Sequence, residues 1–158
     1  MFFIGSTGTG KTRRMQWAAD AFEIRMETAS RLVDMLMDAE DLTEREEVLN
    51  CVPPRWAEYP EHYNDLIIDD LGTEPDGQNL YGTKRTLMQD AICRRYELFP
   101  RWKTHFTSNL TKEEILARYG ERVWSRLNEM CVFITLAGQD RRMMREERGE
   151  MKGKMGKK

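Results

Sequence analysis

Residues Gly5-Ser6-Thr7-Gly8-Thr9-Gly10-Lys11-Thr12 spell G-x-x-x-x-G-K-T, directly behind the apolar run Phe2-Phe3-Ile4 and ahead of a helical pattern. Those residue types in that order bind phosphate. Glycines let the backbone close around anionic oxygens, aligned N–H groups at a helix start hold them, Lys11 adds a point charge, and the Thr12 hydroxyl suits Mg²⁺. A second signal lies at Leu66-Ile67-Ile68-Asp69-Asp70, an apolar run ending in two carboxylates. At the C-terminal edge of a strand such acids sit beside a metal and a triphosphate, Asp69 in the metal shell through water and Asp70 polarising an attacking water. The plainer alternative is a turn after a core strand, where Asp is favoured by its local hydrogen bonds.

Asn109 follows another strand-like run, Thr104-His105-Phe106-Thr107-Ser108. If the two runs are neighbours, its amide sits near the terminal phosphate and can orient water; taken alone, Asn after a strand is a turn residue. Arg118, Arg122 and Arg126 recur every four residues, with Gly120 expected to break the line. Arg122 and Arg126 still share a helix face, suited to reaching a phosphate held by a neighbouring subunit, or equally to a surface edged with Glu-Arg pairs such as Glu114 with Arg118. Arg141-Arg142 carries the same ambiguity.

The elements that must position these groups follow from periodicity. Met15, Ala18, Ala19 and Phe22 predict a helix over 11–22, and Ile24, Met26 and Thr28 alternate like a short strand. Ser30 is the expected cap of a helix with Leu32, Val33, Leu36 and Met37 on its apolar side. Thr43 with Glu46 reads as a capping box for a helix to about residue 50, ended by Pro53-Pro54. After an aromatic loop over 55–64 and the strand over 65–70, Gly72 to Gly82 reads as loop. A helix is expected over 84–98, a strand over 104–108, a capped helix from Thr111 and Glu114 to Gly120, a further helix with Val123, Trp124 and Leu127, and a last strand over 131–136. Strands alternating with helices imply an α/β fold with a mainly parallel sheet covered on both faces.

At 158 residues the chain suits one domain with a core that needs no disulfide or structural metal. A net charge of −2 does not announce a nucleic-acid binder, so any basic surface must be local. The charge is uneven: from Arg141 onward eight Lys/Arg face three Asp/Glu, a net of +5 that leaves −7 elsewhere. The tail ending MKGKMGKK has no pattern that packs and is predicted to be disordered. Cys51, Cys93 and Cys131 are odd in number and widely spaced, which fits small buried residues in a reducing compartment, and His62 and His105 stand alone. No apolar run reaches membrane-spanning length and the start lacks a secretory pattern, so a soluble cytoplasmic protein is expected.

GSTGTGKT, LIIDDLGTEP, THFTSNL, RYGERVWSRL and GQDRR, in this order and at these intervals, closely resemble the AAA+ P-loop ATPases of the DnaC-type helicase-loader and IstB-type transposition-ATPase group. The resemblance implies a five-stranded AAA+ core over residues 1–142 and a basic tail over 143–158. It maps the sensor 1 asparagine to Asn109, the arginine finger to Arg126 with Arg122 beside it, and the sensor 2 arginine to Arg142. It further implies Mg²⁺-dependent ATP hydrolysis, self-association in which one subunit's arginine completes its neighbour's site, single-stranded DNA as a ligand, and a replicative helicase or a transposase as partner. Helicase loaders usually carry an N-terminal segment that grips the helicase and holds adenine contacts; here four residues precede Gly5, and the expected core lacks that segment. Trp56, Tyr59 and Tyr63 with Arg55 can stack on unpaired bases or simply anchor their loop. A nonhydrolysing nucleotide-dependent module is the reading from another class, whereas a small-molecule kinase has no counterpart for its lid arginines.

Overall fold

The structure is a computed structural model that describes residues 1–50, 64–75, 78–80 and 83–138. Its centre is a sheet of β1 (Phe2–Ile4), β2 (Arg25–Thr28), β3 (Leu66–Leu71), β6 (Thr104–Ser108) and β7 (Phe133–Thr135), in the order β2-β3-β6-β1-β7 with every neighbouring pair parallel. Parallel neighbours need crossovers, and the helices α1 (Lys11–Phe22), α2 (Ala29–Asp38), α3 (Leu42–Asn50), α4 (Leu87–Leu98) and α5 (Lys112–Met130) supply them. Burial on both faces explains why β1 and β3 read as unbroken apolar runs. Phe2, Ile4, Leu66, Ile68 and Phe106 pack on one face against Leu32, Met88, Ile92, Ile115 and Leu127, while Phe3 and Ile67 meet Met15 and Ala19 of α1 on the other.

Local chemistry moved several boundaries. Thr28, the last residue of β2, caps α2 by accepting from Arg31 N at 3.2 Å, and Ser30, the expected cap, instead meets Thr73 Oγ1 at 3.3 Å. Met37 is exposed rather than part of the apolar face. Asp41, not Thr43, receives a first-turn N–H of α3, that of Glu44 at 2.9 Å; Glu46 pairs with Arg94. The stretch read as loop holds β4 (Gln78–Leu80), which pairs antiparallel with β5 (Thr83–Arg85) where the next helix is expected to begin, so α4 starts three residues later than expected. These strands arise from backbone pairing and are too short to show a side-chain pattern. The capping box of Thr111 with Glu114 is present, and the two helices beyond it form one element kinked at Gly120, whose φ of 79° and ψ of 167° leave the helical region. Glycine alone adopts that conformation cheaply. Among the described residues no helix is long and apolar enough to cross a membrane.

One buried cation pins the sheet's lower edge. Arg95 of α4 is fully buried and donates to Thr104 Oγ1, Leu49 O and Asn64 O at 2.8 Å and to Lys103 O at 2.9 Å, tying α3 and the starts of β3 and β6 together. Four charge-assisted bonds offset the desolvation of the guanidinium. Replacing Arg95 by Met keeps the stem and removes the donors; the expected loss is about 3 kcal/mol, read as a lower urea midpoint.

Beside this pin, burial, reinforced by the N-terminal ammonium, Lys103 and Arg95, lowers the His105 imidazole from 6.5 to about 4. Between these values the unfolded chain binds the extra proton, so the contribution of His105 is complete above pH 6.5 and lost as pH falls toward 4. Unfolding titrations of wild type and His105→Gln should therefore converge over that interval, by at most about 3 kcal/mol.

Candidate nucleotide site

The C-terminal ends of β1, β3 and β6 lie side by side, which is where an open parallel sheet presents ligand-binding loops. The loop from Gly5 to Gly10 leaves β1 and turns into α1, with Gly10 left-handed at the N-cap (φ 88°). Gly5 is required by a close approach: a Cβ there would lie 2.3 Å from the carbonyl oxygen of Leu136. That approach follows from β7, because Leu136 N donates to Ile4 O at 2.7 Å. Inside the loop, Thr9 Oγ1 donates to Ser6 O at 2.9 Å.

Lys11 is 4% exposed, and its Nζ donates to Gly5 O at 2.8 Å, Ser6 O at 2.9 Å and Asn109 Oδ1 at 2.7 Å. Burial pulls the ammonium below its ordinary range, and the carboxylates of Asp70 and Asp69 oppose the shift. Thr12 Oγ1 donates to Asp69 Oδ1 at 3.2 Å, and Asn109 Nδ2 reaches Asp70 Oδ1 at 3.5 Å. The amide of Asn109 therefore bridges the loop lysine and the second carboxylate. Residues separated by about a hundred positions in sequence meet in one polar cluster.

The placement of both carboxylates depends on a bulge. Successive strand residues point to opposite faces, so a regular β3 would send Asp69 and Asp70 apart. The pairing with β6 instead skips, with Ile68 opposite Phe106 and Leu71 opposite Ser108, and Asp70 sits at a φ of 55°. Aspartate tolerates this left-handed conformation better than most residues. Thr107 stabilises it from β6: its hydroxyl accepts from Asp70 N at 2.9 Å and donates to Asp69 Oδ1 at 2.5 Å. Ser108 Oγ donates to Leu71 O, also at 2.5 Å. Sequence reading missed Thr107 and Ser108 as positioning residues; two hydroxyls closing a strand that runs into Asn109 were the signal available.

The arginines are arranged differently. Arg118 does not pair with Glu114 as a surface edge would; it donates from Nε to Glu74 Oε1 at 3.4 Å and from Nη2 to Glu74 O at 2.5 Å. Beyond the kink, Arg122 is exposed and Arg126 lies 5.0 Å over the ring of Tyr96, with its Nη1 buried and without a hydrogen-bond partner. The described contacts join neither residue to Lys11, Asp69 or Asn109 of the same chain. Arg142, Arg141, Cys51, His62, the aromatic loop of Arg55, Trp56, Tyr59 and Tyr63, and the basic tail lie outside the described residues.

The donor set fits a Mg²⁺ triphosphate. A hydroxyl and a carboxylate in contact supply hard oxygen ligands, and Lys11 with the loop N–H groups supplies positive charge for phosphates. Among the described residues no three His, Cys, Asp or Glu side chains gather as a metal site by themselves, so a cation here would complete its shell with phosphate and water oxygens.

An all-parallel five-stranded sheet in this order, with the glycine-rich loop after β1, two acids at the end of β3 and Asn109 after β6, is the AAA+ P-loop fold. The solved structures that match it include the DnaC helicase loader, at 22% identity and a TM-score of 0.60, covering 87% of this chain and 77% of that one. AMPPCP-bound DnaA from Aquifex aeolicus matches at 16% identity and a TM-score of 0.64, covering 95% of this chain and 45% of that one. Aeropyrum pernix ORC1 in complex with DNA matches at 17% and 0.51, covering 95% and 43%. This chain thus spans less than half of the latter two. No protein-family model matches the sequence, and no curated protein does.

The Thr107 bridge makes a specific forecast. Thr107→Val, nearly the same shape, deprives Asp70 N of its acceptor and should cost about 2 kcal/mol in urea unfolding, whereas Thr107→Ser should lose less than half of that. Equal stability of the valine variant and wild type would refute the bridging role.

Proposed function

We propose that the chain binds Mg²⁺-ATP and hydrolyses it as a self-associating, cytoplasmic helicase-loader-like protein that acts on single-stranded DNA with a replicative helicase as its partner. The observation that carries the nucleotide reading is the cluster in which Lys11 meets Asn109, Asn109 meets Asp70, and Thr12 meets Asp69. The likeness to a helicase loader, to a DnaA that binds an ATP analogue and to an ORC1 that binds DNA supports the biological setting.

In this reading Gly5 to Gly10 wrap the phosphates and Lys11 exchanges its carbonyl partners for phosphate oxygens. Thr12 and Asp69 hold the metal, which when bound screens phosphate charge and orients the reacting group. Asp70 accepts a proton from the attacking water, and Asn109 fixes that water's orientation. A cavity of about 520 Å³ beside the loop, lined by Phe3, Gly10, Arg13, Met15 and Trp17, suits a nucleobase on its apolar wall.

Arg126 has an unused donor in Nη1 and, with Arg122, lies on the part of α5 beyond the kink. These two serve the nucleotide of the adjoining subunit, and Arg142 contacts nucleotide from its own chain. ATP then works as an assembly switch, with turnover slow unless DNA or a partner is engaged.

Lys11→Ala should abolish ATP binding. Arg126→Ala should keep binding within about twofold yet lose hydrolysis by at least about a hundredfold together with ATP-driven assembly. Native mass measurement with ATP, ADP and single-stranded DNA in turn reads the assembly. A strict monomer in every state would remove the between-subunit mechanism, and stronger binding to duplex than to single-stranded DNA would favour a transposase as partner.

A further inference from the structure

Glu74 is a buried acid that the nucleotide mechanism does not use. It is 4% exposed, and a buried carboxylate is costly unless it is matched by hydrogen bonds and opposite charge. Its matches come from two places. Oε2 accepts from Gly72 N at 2.9 Å within its own turn; Oε1 accepts from the Tyr119 hydroxyl and from Arg118 Nε, both on α5. Arg118 also donates to the backbone carbonyl of Glu74, so both the side chain and the main chain of this residue are gripped by the helix.

The two ends of this connection are informative. On one side the turn starts at Asp70, whose carbonyl accepts from Thr73 N at 3.1 Å and Thr73 Oγ1 at 2.9 Å, so the turn that leads to Glu74 is closed by its own hydrogen bonds. On the other side Arg118 and Tyr119 are the last two residues before the kink at Gly120, and Tyr119 O accepts from Gln89 Nε2 of α4 at 3.1 Å. Immediately beyond that kink come Arg122 and Arg126. Burial and the bond to Glu74 push the Tyr119 phenol far above its ordinary range, so it remains a donor to the carboxylate.

The geometry points to Glu74 as a positioning residue that ties the Asp70 turn to Arg118 and Tyr119, the base from which the arginine-bearing half of α5 departs at the Gly120 kink. Resting on the function proposed above, it couples the state of a subunit's own nucleotide to the angle at which Arg122 and Arg126 are offered to the neighbour. The coupling needs no displaced ligand or long pathway: one carboxylate spans the gap between the catalytic turn and the hinge of the helix.

Hydrogen–deuterium exchange on the full chain tests the coupling without nucleotide, and so independently of whether the chain hydrolyses ATP. In Tyr119→Phe, which removes only the hydroxyl, amides of the 70–75 turn and of residues 121–130 should exchange faster together, by about tenfold, the equivalent of one buried charge-assisted hydrogen bond. Glu74→Gln, the second variant, should give the same paired response. Faster exchange confined to residues next to the substitution would overturn the proposal. A second readout separates positioning from general destabilisation: with ATP affinity within about twofold of wild type, ATP-driven assembly of Tyr119→Phe should fall by about tenfold. If assembly falls only in proportion to ATP affinity, Glu74 is not the coupling residue.

Discussion

The parallel pairing of β3 with β6, and its one-residue bulge at Asp70, is the constraint on which the site depends. A ladder without the bulge would keep the sheet but separate the two carboxylates, one above it and one below. The bulge costs a left-handed backbone at a non-glycine residue and an interrupted ladder. Both costs are met from the facing strand, where Thr107 satisfies Asp70 N and Ser108 satisfies Leu71 O. The same two residues lead directly into Asn109. One seam therefore sets the positions of Asp69, Asp70 and the Asn109 amide that bridges Asp70 and Lys11.

Electrostatics in this region is balanced rather than strong. Lys11 is buried and its charge is disfavoured by desolvation, yet two carbonyls, an amide oxygen and two nearby carboxylates hold it in the charged form's preferred surroundings. In the proposed function such a group takes phosphate oxygens as partners with little reorganisation, because its geometry is already set. At the opposite edge Arg95 performs a purely structural task with a similar device, a buried cation surrounded by oxygen acceptors. Arg95 ties together the starts of β3 and β6, while Lys11 at the other end of the sheet joins the loop after β1 to Asn109 after β6.

Much of this was legible in the sequence, and the reasons are specific. The loop could be read because G-x-x-x-x-G-K-T demands residue types that few other structures need, and α1 because Met15 and Ala19 recur at helical spacing, although Phe22, expected on the same face, is exposed. The box at Thr111 and Glu114 was readable because both of its hydrogen bonds are local. Ser30 and Thr43 misled because Thr28 and Asp41, close by, offer equally good oxygens, and packing chose between them. The hairpin of β4 and β5 was hidden because three-residue strands are made by their partner and not by their own pattern. Nothing in a local window marks Arg95 or Glu74 as buried, because the partners that make burial tolerable come from distant segments: Leu49, Asn64 and Lys103-Thr104 for Arg95, and Arg118-Tyr119 for Glu74.

What the residues determined alone is the chemical inventory: a phosphate loop, two acids after an apolar strand, an asparagine after another, and arginines at helical spacing with a glycine between them. Local sequence suffices there because each feature rests on backbone freedom, periodicity or side-chain chemistry within a few positions. The tertiary structure decided which of these meet. It brought Asn109 to Lys11 and Asp70, bent β3 so that both acids face the loop, took Arg118 out of the arginine row to serve Glu74, and left Arg126 against Tyr96. These outcomes turn on contacts between residues dozens of positions apart, where strand register, desolvation and packing compete across the whole molecule.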